Sequence, residues 1–305
     1  MKHLLSTEHL DRTALESLLD EADGFTEVLT RPIPKVPALR GKTVATMFFE
    51  PSTRTRMSFE KAAKALSADT VTFSPGTSAL SKGESLKDTV LTIRAMGVDL
   101  MVVRHKATGA AWRLAEWLDI PIVNGGDGAH QHPTQALLDC LTVRQRFGSL
   151  DGLKIAIVGD IKHSRVARSN IFAMTALGAE VVLVGPPTLL PIDPAAWPVT
   201  VAYGIDDVLD DIDVVYLLRV QTERGGGSVF PSLSEYTRRF GMTSARFTRL
   251  KPEAIVMHPG PMNRGVEIDY DVADDDRSLI LQQVSNGIAV RMAVLFRLLG
   301  GDHDA

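Results

Sequence analysis

Short apolar runs alternate with amphipathic stretches along nearly the whole chain, and this alternation restricts the fold more than any other feature. Thr43 to Phe49 reads as an apolar strand. Phe59, Ala62, Ala63 and Leu66 form a stripe at helical spacing, and Asp69 to Phe73 reads as a second short strand. Strand, helix and strand in succession make a βαβ unit, whose crossover returns the chain in the same direction and so builds a parallel sheet. The pattern continues through Leu86, Val90 and Ile93 (helix), Val98 to Val103 (strand), Ala111 to Leu118 (helix) and Pro121 to Val123 (strand). A helix from Pro133 to about Arg146 leads into a second half, with strand-like runs at Lys154 to Val158, Glu180 to Val184, Val214 to Leu218 and Ala254 to Met257.

A chain of 305 residues exceeds one ordinary core, so length and pattern together predict two domains. The expected fold class is α/β: two doubly wound parallel-sheet domains with the active site in the cleft between them. Residues 1–135 are expected to form the first and 136–286 the second. The C-terminal segment 287–305 is expected to complete the first, because Ile288, Val290, Met292, Val294, Leu295 and Leu298 point to several faces of a helix that must then be largely buried. Residues 7–30 read as an amphipathic helix packed outside the first domain.

Composition narrows the class of partner. With 45% hydrophobic and 23% charged residues and a net charge of -4, nothing global suggests a nucleic-acid or membrane partner. Glu8, Asp11, Arg12 and Glu16 interrupt any signal-peptide apolar region, and the run near Val98 to Val103 is far too short to span a bilayer. Cys140 is the sole cysteine, so no intrachain disulfide can form, and a reducing cytoplasmic location is expected.

In doubly wound sheets ligands bind beyond the carboxyl ends of the strands. After the first strand comes Pro51-Ser52-Thr53-Arg54-Thr55-Arg56. Free N–H groups of a first helical turn, three hydroxyls and two guanidiniums all favour a doubly charged anion, and phosphate is the obvious candidate. A single Ser-x-Arg would more often be an N-cap followed by solvated arginines; five consecutive residues of this kind reverse the odds. Arg104-His105 follows the third strand, and a glycine-containing loop from Asn124 through His132-Pro133-Thr134-Gln135 follows the fourth. His130 and His132 lack the cysteine or paired carboxylates that would complete a metal site, so a loop histidine donating to a substrate carbonyl is the more economical reading. Asp127 is expected to tie this loop down.

Lys154 to Asp160 looks like the opening of a dinucleotide site, but Ile161 and Ser164 stand where glycines are required, so no such cofactor is expected. Arg165 and Arg219, at separate strand ends, suit a substrate with two carboxylates. His258-Pro259-Gly260-Pro261 closes a final strand with a rigid turn. Lys82, in the polar loop Ser74 to Gly83, reads by itself as a surface residue.

These segments carry a resemblance. Phe49-Glu50-Pro51-Ser52-Thr53-Arg54-Thr55-Arg56, Ser78 through Lys82-Gly83-Glu84, Arg104-His105, His132-Pro133-Thr134-Gln135, Arg165, Arg219-Val220-Gln221 and His258-Pro259-Gly260-Pro261 together resemble the catalytic chains of aspartate carbamoyltransferases, within the aspartate/ornithine carbamoyltransferase superfamily. The resemblance implies transfer of the carbamoyl group of carbamoyl phosphate to L-aspartate, a step of pyrimidine biosynthesis. It implies that Ser52, Thr53, Arg54 and Thr55 hold the phosphate, that Thr55, Arg104 and His132 contact the carbamoyl oxygen, and that Gln135 lies near the carbamoyl nitrogen. Arg165, Arg219 and Gln221 would hold aspartate with the backbone of Gly260 and Pro261. Ser78 and Lys82 would enter the site of a neighbouring chain in a homotrimer, completing a catalytic set of Arg54, Thr55, Lys82, Arg104 and His132. No metal and no cofactor are implied, and regulatory or dihydroorotase-like chains are conceivable partners of a larger assembly. Ornithine carbamoyltransferases share the phosphate motif. Their His-Cys-Leu-Pro turn is replaced here by His258-Pro259-Gly260-Pro261, and Lys82, Arg219 and Gln221 favour an acidic acceptor. Gly260 departs from the larger apolar residue of some relatives.

Overall fold

The structure, a computed structural model, describes residues 1–73, 84–220 and 232–300. The chain divides into two compact units, residues 1–141 with 285–305 and residues 142–284.

The first unit is built on a parallel sheet of β1 (Thr43–Phe48), β2 (Asp69–Phe73), β3 (Leu100–His105) and β4 (Ile122–Asp127), in the order β2-β1-β3-β4. β1, β3 and β4 are almost wholly buried, as strands covered by crossover helices on both faces must be. β2 is the half-exposed edge. The opposite edge is covered by the amino terminus: the Leu4 N–H donates to the Ile122 carbonyl and the Asn124 N–H to the Leu4 carbonyl, each at 2.9 Å. The amphipathic helix α1 (Arg12–Thr30) begins later than periodicity suggests, because the Asp11 carboxylate accepts the Ala14 N–H at 2.8 Å and fixes the start. α2 (Thr53–Ala65), α3 (Leu86–Ala95) and α4 (Ala110–Trp117) are the crossovers, and α5 (Pro133–Phe147) leaves the unit. Each turns an apolar stripe inward; in α2 these are Phe59, Ala62, Ala63 and Ala65. Complete burial of Phe59 alone is worth about 2 kcal/mol by transfer.

The last helix, α10 (Ile280–Leu299), is longer at its start than the apolar pattern from Gly287 indicates. Within the first unit Val290, Met292, Val294, Leu295 and Leu298 are buried. Arg297 clamps it to α1, donating from Nε to Glu21 at 3.0 Å and from Nη2 to Ser17 Oγ at 2.6 Å, while Phe296 meets Phe25 edge-on with ring centres 5.7 Å apart.

The second unit holds β5 (Lys154–Val158), β6 (Glu180–Val184), β7 (Val199–Ala202), β8 (Val214–Leu217) and β9 (Ile255–Met257), all parallel, in the order β7-β6-β5-β8-β9. β7 is not evident from the sequence: it is four residues long, half-exposed and preceded by Pro198, so it lacks the apolar signature of its neighbours. Helices α6 (Arg165–Ala176), α7 (Leu233–Phe240), α8 (Ser244–Phe247) and α9 (Tyr270–Ala273) surround the sheet. Among the described residues no helix is long and apolar enough to cross a membrane.

The two strand orders share one topological consequence. From β1 the sheet grows first toward β2 and then, on the other side, toward β3; from β5 it grows first toward β6 and then toward β8. Between β1 and β3, and between β5 and β8, successive crossovers leave in opposite directions and open a crevice at the carboxyl ends of the strands.

Candidate active site

Four of the sequence-singled residues lie at the first of these switch points. β1 ends at Phe48, and Ser52 is the N-cap of α2, with Thr53, Arg54 and Thr55 forming the first turn. Asp11, Ser85, Ser164, Ser232 and Thr243 each cap a helix by accepting an N–H through the side chain. The Ser52 hydroxyl makes no such bond. The start of α2 thus places a hydroxyl and a guanidinium beside the first-turn N–H groups of a helix, an arrangement suited to an anion.

Arg104 reaches the same strand ends from β3. It stands opposite Phe48 in the sheet register, its backbone carbonyl accepts the Phe49 N–H at 2.8 Å, and its guanidinium lies 3.4 Å from the Glu50 carboxylate and donates to the Gly125 carbonyl at 3.3 Å. It thereby spans from β1 to β4. Next to it, His105 packs edge-on to Phe49 with ring centres 5.2 Å apart, and its Nδ1 accepts the Ala107 N–H at 2.9 Å. Burial pushes the His105 imidazole below its ordinary pKa, against the attraction of Glu50.

The loop after β4 is held by Asp127, as expected. This carboxylate, 1% exposed, accepts the Gly109 N–H at 2.7 Å, the Gln131 N–H at 3.0 Å and the Asn124 side-chain amide at 2.8 Å, with His130 Nδ1 at 3.2 Å. Gly128 (φ 49) passes so close to Thr108 that a Cβ would lie 2.6 Å from its hydroxyl. Fixing the loop fixes the start of α5, where His132 precedes the helix and is buried, and Gln135 donates to Asp139 at 3.0 Å. Because α5 begins at Pro133, Gln135 and Asp139 are one turn apart on one face.

The second unit repeats the arrangement. Arg165 opens α6 just beyond β5, behind Ser164, whose hydroxyl accepts the Ala167 N–H at 3.1 Å, and Arg219 follows β8. β5 and β8 are hydrogen-bonded neighbours, so the two arginines leave adjacent strand ends. His258-Pro259-Gly260-Pro261 follows β9, on the other side of β8. That turn is braced from within: the Gly260 N–H (φ 64) donates to His258 Nδ1 at 2.8 Å, and His258 Nε2 lies 3.3 Å from Glu267 Oε1, both side chains being buried. Glu267 also accepts the Asn263 N–H at 2.5 Å, and the Asn263 amide donates to the Val220 carbonyl at 3.1 Å, tying the turn to the segment after Arg219. Asp160 accepts the His163 N–H at 3.2 Å and has His163 Nδ1 at 2.9 Å, which shapes the loop before Arg165. Ser78, Lys82 and Gln221 lie outside the described residues.

Two family models match. Residues 2–145 fit the aspartate/ornithine carbamoyltransferase carbamoyl-P binding domain and residues 151–298 the Asp/Orn binding domain of the same family. The chain belongs to the aspartate/ornithine carbamoyltransferase family. It is 57% identical over 301 residues to the aspartate carbamoyltransferase catalytic subunit of Thermobifida fusca, covering 99% of this chain and 96% of that one. It is 55% identical to that of Acidothermus cellulolyticus, covering 100% and 94%. Among solved structures it resembles Trypanosoma cruzi aspartate transcarbamoylase in complex with N-(phosphonacetyl)-L-aspartic acid (TM-score 0.89, 31% identity, 98% and 96% covered). It also resembles the M. jannaschii aspartate transcarbamoylase catalytic subunit (TM-score 0.86, 39% identity, 100% of both chains covered).

As a carbamoyltransferase-family chain it contains supporting residues that the sequence reading left without a role. Glu50 faces Arg104, Asp139 holds Gln135, and His258 with Glu267 braces the turn at Gly260. Only Asp139 carried a visible signal, its spacing from Gln135 on a predicted helix. The other partners meet through strand pairing and turn geometry that local patterns do not encode.

Proposed function

We propose that the chain transfers the carbamoyl group of carbamoyl phosphate to the amino group of L-aspartate, giving N-carbamoyl-L-aspartate and phosphate. The observation that carries this reading is the likeness over 98% of the chain to the T. cruzi enzyme in complex with carbamoyl phosphate and aspartate (TM-score 0.88, 31% identity), together with cationic strand ends in both units. In the proposed assignment Ser52, Thr53, Arg54 and Thr55 bind the phosphate. Thr55, Arg104 and His132 bind the carbamoyl oxygen, and Gln135 the nitrogen. Arg165, Arg219 and Gln221 hold aspartate with the backbone of Gly260 and Pro261. Ser78 and Lys82 are supplied by a neighbouring chain of a homotrimer; a head-to-tail interface of this kind closes into a ring.

The aspartate nitrogen attacks the carbamoyl carbon and negative charge grows on the carbamoyl oxygen. In this reading Thr55, Arg104 and His132 stabilise that charge, and donors oriented before the reaction do so without the cost of reorganising. The bond from carbon to the phosphate oxygen then breaks, and the amine proton leaves with the departing phosphate. Pyrimidine synthesis in the cytoplasm is the proposed setting.

The second domain of this family binds aspartate or ornithine. Two arginines at adjacent strand ends and a turn without cysteine favour aspartate, since cationic ornithine would meet like charge there. Initial rates with carbamoyl phosphate and a panel of amines test this: aspartate should be carbamoylated far faster than ornithine or putrescine, and the reverse order overturns the assignment.

A further inference from the structure

Arg291, on α10, is 4% exposed and takes no part in the chemistry above. Its guanidinium donates to Ser58 Oγ at 2.8 Å and to the Gly287 carbonyl, one turn back, at 2.9 Å, and lies 5.0 Å from the centre of the Phe59 ring. Ser58 and Phe59 belong to α2, the helix whose first turn carries Thr53 to Thr55. The charge that attracts the same guanidinium is Asp139 of α5, a fully buried carboxylate that accepts the Gln135 amide. One cation from the far end of the sequence thus bonds to α2 and lies beside α5, the two segments that carry the proposed carbamoyl phosphate contacts, since the space at Gly287 is bounded by both Arg291 Nη1 and Leu138 Cδ2.

The surroundings are shaped for it. A Cβ on Gly287 would come within 2.5 Å of Arg291 Nη1 and 3.1 Å of Leu138 Cδ2, so the absence of a side chain lets α10 approach α5 with the guanidinium in between. Burial pulls the guanidinium pKa down to about 10, despite Asp139, which marks the site as costly for a charge. Apolar side chains of similar volume often replace buried ion pairs with no loss of stability. Packing therefore gives no reason for an arginine here, whereas the need to hold two helices in register does.

We propose that Arg291 is a positioning residue for the carbamoyl donor, setting the phosphate helix α2 through Ser58 and the reach of Gln135 through Asp139. The proposal rests on the assignment of carbamoyl phosphate to these residues.

The test compares Arg291→Met, Arg291→Lys and Ser58→Ala with Leu295→Ala, a fully buried change on the same helix, in the full-length enzyme. Arg291→Met should raise the Kd and KM for carbamoyl phosphate by about tenfold, because small displacements of positioned groups are costly, while the KM for aspartate at saturating donor stays within about twofold. Arg291→Lys should recover part of the affinity. Ser58→Ala should reproduce part of the loss and add little to Arg291→Met, as expected of two residues acting through one contact. Leu295→Ala should lower the melting temperature without moving the KM for carbamoyl phosphate. An unchanged donor KM in folded Arg291→Met overturns the proposal, as does an equal rise in Leu295→Ala; if Arg291→Met does not fold, an unchanged donor KM in Arg291→Lys and Ser58→Ala overturns it. Wild-type enzyme that fails to bind carbamoyl phosphate, or Arg54→Ala that binds it normally, would instead sink the donor assignment itself.

Discussion

Arg104 Nε lies 3.4 Å from Glu50 Oε2, and the two side chains are only 14% and 18% exposed. The pair joins the ends of β1 and β3 at the switch point of the first sheet. Glu50 offsets part of the charge that would attract an anion, but it also aims the guanidinium, and orientation should dominate where charge develops on one oxygen. Glu50→Gln keeps the shape and removes the charge. It should lower kcat by roughly tenfold with little rise in the KM for carbamoyl phosphate. Steady-state kinetics with each substrate varied decide the matter, and an unaltered kcat would show that Arg104 needs no such aim.

Arg54 occupies the first turn of α2 and is exposed. If it balances charge on the phosphate as the bond to carbon breaks, Arg54→Ala should cost on the order of 10²- to 10³-fold in kcat. Turnover within a few-fold of wild type would refute the phosphate role.

Several strands were legible because parallel strands buried on both faces need continuous apolar runs, and Thr43 to Phe49, Lys154 to Val158 and Glu180 to Val184 supply them. The turn proposed to bind phosphate stood out for a related reason: five polar residues, Ser52 to Arg56, soon after such a run are unusual unless they bind something. The structure sharpened other readings. Arg104 and His105 lie within β3 rather than beyond it, because the strand continues past Val103 to reach β4 through a shift in register. β7 stayed hidden behind its prolines. Partners distant in sequence, such as Ser58 with Arg291 or Glu50 with Arg104, were not readable, since no local period links residues brought together by a sheet and a returning helix.

The proposed sharing of the site between chains predicts complementation. Lys82→Ala and Arg54→Ala chains, each inactive alone, should regain activity when unfolded together and reassembled, because a mixed trimer contains a site with both residues intact. Mixed assembly confirmed by mass spectrometry without recovered turnover would count against a shared site.

His105 links the site to pH. Burial holds its folded-state pKa below the unfolded value, so in the window between the two the unfolded chain binds more protons than the folded one. Stability should therefore rise as pH increases through that window and level off above the unfolded value of about 6.5. The penalty is fully present below the folded-state pKa, where protonation also removes Nδ1 as acceptor for the Ala107 N–H. Denaturant titrations from about pH 5 to about 7 should show this slope in wild type and a shallower one in His105→Asn. Equal slopes would mean that His105 titrates as it does in water.

Asp127 separates a structural carboxylate from a catalytic base. Its oxygens accept the Gly109 and Gln131 N–H groups and the Asn124 amide, so Asp127→Ala leaves several buried donors without an acceptor, at about 3 kcal/mol or more in total. For a unit of this size that corresponds to a fall in melting temperature on the order of 10 °C. Asp127→Asn keeps one acceptor oxygen and should lose less stability. A base would behave differently: Asn and Ala would be equally inert, because neither takes a proton. Measured below the unfolding range, kcat should fall with the loss of loop order, so Asn should retain more of it than Ala. Equal and severe loss in both, with the loop still folded by hydrogen exchange, would make Asp127 a participant in proton transfer and not the anchor that holds His132 and Gln135 in place.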